Sequence, residues 1–231
     1  FRGLGDGYKR QVHEDVVDVA WVAGHCARHA FVNAGQVCIS CQRVYVARSI
    51  YEEFCRAAVT AAENFRSGDL MDVHTQIGPM IAEREAERIE AWVREAEAAG
   101  ARILTGGTRR GAFYAPTVLT DVTPAMKVVS EETFAPVFSI IPYDTIEEAV
   151  RMANDTRYGL QAGVFTRSLA VANYCAENLE VGGVIIGDGA TFRMDNMPYG
   201  GVKDSGIGRE GPAYAIRELT EEKLIVLNVE G

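Results

Sequence analysis

The sequence has 231 residues, of which 48% are hydrophobic and 24% charged, and its formal net charge is -9. This size suits one large domain, or one domain with an extension. The acidic balance argues against a nucleic-acid or anionic-membrane surface, which would need a basic patch. No apolar run approaches the ~18 residues of a membrane span, and the first ten residues contain no signal-peptide core. Five unevenly spaced cysteines do not suggest a disulfide framework, so we expect a soluble cytoplasmic protein.

Helix-like and strand-like patterns alternate along most of the chain. Apolar residues recur at near-helical spacing in five stretches, and short apolar runs lie between several of them. Helices are predicted at 15–31, 49–65, 82–99, 144–155 and 168–180, and strands at 42–47, 136–143, 160–166 and 182–187. Asp15 and Ser49 are the predicted N-terminal caps of the first two helices. This alternation predicts an α/β fold with a mostly parallel sheet and flanking helices.

Both ends of the chain depart from this alternation. Residues 1–12 combine three glycines with a basic cluster and show no periodicity, so we expect an irregular segment. Residues 213–219 predict a short helix, and the apolar run KLIVLNV that follows predicts a terminal strand. One short connection gives that strand no easy place in the same sheet, so we expect it to pair with another domain or subunit. The chain then divides into an irregular segment (1–12), a main domain (13–211) and a C-terminal helix and oligomerisation strand (212–231).

The stretch NAGQVCISCQR places Cys38 just after a turn of small residues. A thiol reacts as its thiolate, so it needs access to solvent and stabilisation of negative charge. Backbone amides in a glycine-containing turn can point at a reacting oxygen and stabilise an oxyanion. These features favour a nucleophilic role for Cys38. Packing in the core is the more common role of a single cysteine.

Cys38 and Cys41 also form a CxxC pair, which is typical of zinc sites and of dithiol redox centres. A structural zinc site needs four ligands, and the sequence has no second CxxC. The nearby candidates are His25, Cys26 and His29, and the two histidines are one helical turn apart. That spacing also arises by chance on any helix. The sequence therefore predicts no metal site.

Two further motifs are candidates for parts of a dinucleotide site. Residues 206–211 read GIGREG, but this glycine motif follows a polar loop near the C-terminus instead of a strand in a βαβ unit. The segment EETFAPV at 131–137 places two carboxylates and an aromatic ring directly before a predicted strand. Such residues can bind sugar hydroxyls and pack against a flat heterocycle, although a solvated loop with an anchoring phenylalanine has the same pattern.

Taken together and in order, six stretches resemble the catalytic domain of the aldehyde dehydrogenase superfamily. They are FVNAGQVCISCQRVYV, GPMI, APTVL, EETFAPVFSI, ANDTRYGLQAGVFT and MPYGGVKDSGIGREG. The resemblance extends from His13 to the end of the chain, and a match over several segments is far more specific than any single motif. It implies oxidation of a small-molecule aldehyde to a carboxylate, with NAD or NADP as the cofactor.

The resemblance also implies roles for individual residues. Cys38 matches the nucleophilic cysteine, which forms a thiohemiacetal and then a thioester, and its backbone amide matches half of the oxyanion hole. Glu132 matches the residue that binds the nicotinamide ribose, and Phe134 matches the ring beside the nicotinamide. Arg193 lies in the stretch that matches the substrate tunnel, where it is a candidate partner for an anionic aldehyde tail. A solvated surface arginine is the alternative at that position.

The sequence also departs from the family pattern. These 231 residues contain no match to the family's dinucleotide-binding domain, so we expect weak or no binding of NAD or NADP. Gly3 falls where the family has the general-base glutamate, and glycine cannot accept a proton. We therefore expect a catalytic domain that is not competent for oxidation as an isolated chain.

Two alternatives come from other functional classes. The first is a catalytically silent module that pairs with a full-length homologue through the terminal apolar run. The second is a thiol-redox or zinc protein that uses Cys38 and Cys41. Under the main hypothesis the expected partners are a chain that carries the dinucleotide domain, or a second copy of this chain bound through the C-terminal strand.

Overall fold

The computed structural model describes residues 9–229 and forms an α/β fold around a seven-stranded sheet. The strands in spatial order are β10 (Gly183–Ile186), β9 (Gln161–Phe165), β1 (Lys9–Val12), β2 (Arg43–Ala47), β7 (Val137–Tyr143), β6 (Thr117–Thr120) and β3 (Arg102–Thr105). All neighbouring pairs are parallel except β3 with β6. Four short strands form two separate antiparallel pairs: β4 (Arg109–Arg110) with β5 (Phe113–Tyr114), and β8 (Tyr158–Gly159) with β11 (Val202–Lys203). The predicted α/β fold with a mostly parallel sheet is confirmed.

Seven α-helices connect and cover these strands. They are α1 (Val19–Phe31), α2 (Tyr51–Glu63), α3 (Glu83–Ala98), α4 (Lys127–Ser130), α5 (Ile146–Asn154), α6 (Leu169–Asn178) and α7 (Pro212–Leu219). Within residues 9–229, no helix combines the length and the apolar character needed to cross a bilayer. The region between α3 and β7, for which the sequence analysis predicted no strand, contributes the antiparallel edge of the sheet.

The central strands are buried on both faces, which explains their continuous apolar character. In β2, Val44 and Val46 pack into one hydrophobic cluster with α1 and α2, whereas Tyr45 and Ala47 pack into a second cluster with α5 and α6. Alternate side chains of one strand therefore serve two cores on opposite faces of the sheet. This double layer fixes the carboxyl end of each strand, where the loops of a parallel sheet commonly carry the functional groups.

The expectation of an irregular segment at 1–12 is wrong for its last four residues. Lys9–Val12 forms β1, a parallel strand hydrogen-bonded to β2 on one side and β9 on the other. Burial of the Val12 side chain in the first core outweighs the weak local signal. Residues 1–8, including Gly3, lie outside the described residues.

The expected C-terminal strand does not form in the single chain. Residues 220–229 have no helix or strand, and the side chains of Leu224, Ile225, Val226, Leu227 and Val229 are exposed. Pairing of this run with another chain stays a prediction.

The helix caps also differ from expectation. Asp18, not Asp15, caps α1 by accepting a hydrogen bond from the Trp21 N–H at 2.8 Å. Asp15 instead accepts hydrogen bonds from Thr166. Ser49 lies in a short 3-10 turn before α2 and donates to Glu14, so it does not cap that helix.

A tight 3-10 turn, Val32–Gly35, follows α1 and has an unusual backbone. Asn33, Ala34 and Gly35 have φ values of 53°, 54° and 68°. A Cβ atom on Gly35 would lie 2.0 Å from the carbonyl oxygen of Ala135. Glycine is required here both by the positive φ and by the close approach of a neighbouring backbone.

We expect Gly35→Ala to lower the free energy of unfolding by more than about 2 kcal/mol, because strain at positive φ adds to overpacking against Ala135. Gly24→Ala is the matched control, since a Cβ on this glycine in α1 would meet nothing within 4 Å. It should leave stability unchanged or raise it by about 0.5–1 kcal/mol. Urea denaturation of both variants measures the difference, and equal effects would contradict the packing argument.

Candidate functional site

Cys38 lies in the short turn that connects the 3-10 segment to β2. The turn is closed by the Ser40 N–H, which donates to the Val37 carbonyl at 2.9 Å, and it is tied to α1 by the Cys41 N–H, which donates to the His29 carbonyl at 3.2 Å. Cys38 is partly exposed, whereas the other four cysteines are buried. The fold therefore presents this one thiol to solvent.

Burial also raises the pKa of two of the other thiols. It raises the pKa of Cys55 and of Cys175 to about 11. Both thiols are therefore protonated near neutral pH and do not supply the thiolate that attacks an electrophile. Cys26 and Cys41 are fully buried.

The second predicted site segment lies directly against the Cys38 turn. Gly35 approaches Ala135, which brings the backbone of the EETFAPV segment to the turn that precedes Cys38. A cleft of about 280 Å³ lies at this junction, and Gln36, Glu132 and Phe134 line it together with Ile81 and Glu85. The fold thus places Glu132 and Phe134 beside the turn that carries the thiol.

Gln42 positions this segment, and the sequence analysis gave it no role. Its Nε2 donates to the carbonyl oxygens of Val128 and Glu131 at 3.2 and 2.5 Å, and its Oε1 accepts from the Thr133 N–H at 3.2 Å. Arg88 adds a hydrogen bond to the Thr133 carbonyl at 2.8 Å. Because Gln42 directly precedes β2, one buried amide fixes the segment to the same strand that follows Cys38. In the sequence, only the position of Gln42 within the stretch NAGQVCISCQR pointed to it.

The two neighbouring glutamates have different environments. The Glu131 carboxylate forms an ion pair with Arg157 at 2.8 Å, with both side chains about half exposed. Glu132 instead faces the cleft. The role of Glu132 as the ligand-binding carboxylate stays a prediction.

Phe134 has a strained backbone, with φ at 44°. Left-handed conformations of residues other than glycine cost energy and tend to be found at functional sites. Asn33 and Ala34, just before Cys38, share this feature. The Phe134 side chain remains 36% exposed and lines the cleft. The strain therefore presents an aromatic ring at the surface instead of burying it.

Tyr199 connects Cys38 to Arg193, and the sequence analysis did not single it out. Its hydroxyl lies 3.5 Å from Cys38 Sγ, and the Arg193 guanidinium lies 4.2 Å from the centre of its ring. Arg193 also forms an ion pair with Glu210 at 3.0 Å. Tyr199 and Arg193 line a second cleft, together with Phe192, Met197 and the backbone of β10. The thiol therefore lies beside the hydroxyl of Tyr199, and the cation lies over the face of the same ring.

The residues of the zinc hypothesis separate in the fold. His25 and His29 lie together, but the third group beside them is Asp188, whose Oδ1 lies 2.6 Å from His25 Nε2. Among the described residues, Cys38, Cys41 and Cys26 belong to no metal-capable cluster.

Comparisons with known proteins match this architecture. The sequence profile of the aldehyde dehydrogenase family matches residues 9–225. A 3-sulfolactaldehyde dehydrogenase of Priestia aryabhattai is 50% identical over 226 residues, which cover 98% of this chain and 47% of that protein.

Two solved structures are also similar. Aldehyde dehydrogenase 21 of Physcomitrella patens, in complex with the reaction product succinate, has a TM-score of 0.92 and 42% identity over 97% of this chain and 47% of that one. A glyceraldehyde-3-phosphate dehydrogenase of Methanocaldococcus jannaschii, complexed with NADP, has a TM-score of 0.89 and 40% identity over 94% of this chain and 47% of that one. The chain spans about half the length of these relatives. The profile match, the level of identity and the shared fold show that this chain belongs to the aldehyde dehydrogenase family.

Proposed function

We propose that Cys38 is the nucleophile of an NAD(P)-dependent site that oxidises an aldehyde to a carboxylate. The observation that carries this proposal is the setting of the thiol. It is partly exposed on a tightly held turn, 3.5 Å from the Tyr199 hydroxyl, while every other cysteine of the chain is buried. The membership of the family supports the type of reaction.

In the proposed reaction, the Cys38 sulfur attacks the carbonyl carbon, a carbon–sulfur bond forms, and the carbonyl electron pair moves to oxygen. The Cys38 backbone N–H is placed in a turn where it can stabilise this oxyanion. A bound NAD or NADP would supply the acceptor for the hydride that leaves this carbon as the oxygen electron pair re-forms the carbonyl. A thioester on Cys38 remains; water adds to its carbonyl and the carbon–sulfur bond breaks, which gives the carboxylate and returns the Cys38 thiolate, with the two protons of the water released to solvent.

Glu132 and Phe134 fit the nicotinamide end of the cofactor. A carboxylate at the cleft can accept hydrogen bonds from ribose hydroxyls, and the partly exposed ring offers a flat apolar surface. These two residues contact only one end of a dinucleotide. Since the chain spans about half the length of its relatives, we propose that the 231 residues alone bind NAD or NADP weakly or not at all. A chain that carries a dinucleotide domain, or a second copy of this chain, is the proposed partner.

We further propose that the substrate is a short aldehyde with an anionic tail. The Arg193 guanidinium lies over the ring of Tyr199, whose hydroxyl is 3.5 Å from the Cys38 sulfur, and both residues line one cleft, so a short substrate at Cys38 would have this cation within reach. Glu210 uses only part of the donor capacity of Arg193, which has five N–H groups. The names of two relatives agree, because 3-sulfolactaldehyde and succinate are both anionic.

A catalytically silent pairing module is a second candidate. The exposed apolar run from Leu224 to Val229 favours it, because a stretch of this kind is normally covered by a partner. A catalytically silent module does not require a reactive Cys38, whereas the enzymatic proposal requires Cys38 to be a nucleophile.

Cys38 should be the most rapidly alkylated cysteine of the chain. It is the accessible thiol, and at pH 8 Cys55 and Cys175 are held protonated by their burial, with pKa values of about 11. Brief iodoacetamide treatment followed by peptide mapping measures the order of labelling. Faster modification of any of the other four cysteines would contradict the assignment.

Acylation of Cys38 should be faster than deacylation. With p-nitrophenyl acetate we expect a burst of one nitrophenol per active chain, then slow turnover, because the family resemblance implies a glycine, Gly3, at the position of the general base, whose assistance typically contributes about 10²–10⁴-fold. Intact-mass spectrometry should show one acetyl group on Cys38.

Cys38→Ser should abolish the burst, whereas the matched variant Cys41→Ser, at a buried position three residues away, should keep it. An acetyl group that maps to lysines, or a burst that survives in Cys38→Ser, would reject nucleophilic catalysis by Cys38.

Arg193 should favour anionic reagents at Cys38. Iodoacetate and iodoacetamide have similar size but differ in charge. The rate of alkylation by iodoacetate divided by the rate with iodoacetamide therefore measures the attraction of a carboxylate to the site. Arg193→Gln should lower this ratio roughly fivefold, the effect of losing a partly exposed ion pair worth about 1 kcal/mol. Arg48→Gln removes the same charge from an exposed pair with Asp144 and should leave the ratio unchanged. Equal ratios in the parent and in Arg193→Gln would refute the tail-binding role.

A further inference from the structure

We propose that His25, His29 and Asp188 form a binding site for a divalent transition-metal ion of the zinc class. One potential ligand atom from each residue lies within 4.8 Å of the other two. Two imidazoles and a carboxylate are a common ligand set for zinc and for other first-row transition metals. The sequence predicted no metal site. The further ligands that it offered to His25 and His29 were the nearby cysteines, and not Asp188.

Helix α1 and the loop after β10 create this site together. His25 and His29 are one turn apart on α1, and their ring centres are 4.3 Å apart. Asp188 comes from a position far along the chain and follows the carboxyl end of β10.

The histidine rings are held by their surroundings. Trp21 stacks on His25 with ring centres 4.8 Å apart, and the Phe165 ring meets His25 edge-on at 5.8 Å. The Thr191 hydroxyl is hydrogen-bonded to Nδ1 of His29. An oxygen partner on one ring nitrogen is the usual support for a histidine that binds a metal through the other nitrogen. Both imidazoles thus have the fixed orientation that a metal site needs.

The dimensions are compatible with an ion after small side-chain rotations. Bonds of about 2.0–2.1 Å in tetrahedral geometry separate the ligand atoms by roughly 3.3 Å. The observed atoms lie between 2.6 and 4.8 Å apart, on both sides of that value. The side chains of His25 and Asp188 are 22% and 40% exposed, so an ion can enter from solvent and water can complete its coordination.

A hydrogen-bonded His25–Asp188 pair without an ion is the competing explanation. It accounts for the 2.6 Å contact, while the helical spacing and the hydrogen bond with Thr191 account for the position of the His29 ring. The two explanations differ in a testable way, because only a three-ligand site depends on His29. An ion bound here would also cross-link α1 to the loop that carries Arg193, two residues beyond Thr191.

Cobalt(II) is a suitable probe, since tetrahedral Co²⁺ absorbs visible light and prefers the same ligands as Zn²⁺. The 231-residue chain, with Cys38 first blocked by iodoacetamide, should bind one Co²⁺, and Zn²⁺ should displace it. His29→Gln and Asp188→Asn should each weaken binding by more than about tenfold. His74→Gln, at an exposed histidine outside the cluster, should bind as the parent does.

Thermal denaturation provides a second readout that does not depend on absorption. Zn²⁺ should raise the Tm of the parent and of His74→Gln but not that of Asp188→Asn, because only binding to the folded state stabilises it. Circular dichroism checks that each variant is folded without metal. Absence of Co²⁺ binding by the parent, or unchanged affinity in His29→Gln, would overturn the proposal.

Discussion

The contact between Gly35 and the Ala135 carbonyl is the constraint on which the rest of the candidate site depends. Two chain segments nearly a hundred residues apart meet there, backbone against backbone, at a distance that leaves no room for a side chain. One segment continues to Cys38, and the other carries Glu132 and Phe134. Positive φ values on both sides of the contact show that local backbone preference gives way to this packing. The hydrogen bonds of Gln42 then hold the second segment to the sheet.

Charge is distributed unevenly around the thiol. On the Tyr199 side, Arg193 provides a cation that Glu210 holds in place. On the Phe134 side, Glu132 lines the cleft, and the neighbouring Glu85 is paired with Arg88 at 2.8 Å. Under the proposed function, the anionic tail of the substrate binds on the Arg193 side of Cys38 and the ribose of the cofactor on the Glu132 side.

The sequence predicted the architecture well where a pattern is local. The alternation of helices and strands located α1, α3, β2, β7 and β9 within a few residues, because burial on both faces requires apolar residues at regular spacing. It missed β1 because Lys9–Val12 has no periodicity of its own, and pairing with two distant strands determines its conformation. The edge strand β3 and its neighbour β6 were missed because pairing with each other and with β7, and not a local pattern, determines them.

The same distinction applies to the site. The family resemblance predicted roles for Cys38, Glu132, Phe134 and Arg193, since all four lie in recognisable motifs, and these roles stay predictions. Tyr199 lay within such a motif, but no local feature showed that its hydroxyl would reach Cys38. Asp188 could not be connected with His25 from sequence, because only the parallel pairing of β10 with β9 brings its loop to α1. Contacts that depend on the topology of the sheet cannot be predicted from local sequence patterns.

The position of β1 also has a consequence for how the chain folds. Lys9 pairs with Arg43 and with Ala162, so the middle of the sheet joins an early strand to one made much later. Long-range pairing of this kind slows folding, because the entropy of closing a large loop is lost before the contacts form. During synthesis, β1 and β2 are exposed for the whole time needed to make the next hundred residues or so. The nascent chain therefore presents unpaired sheet edges, the type of surface on which aggregation begins and which chaperones protect.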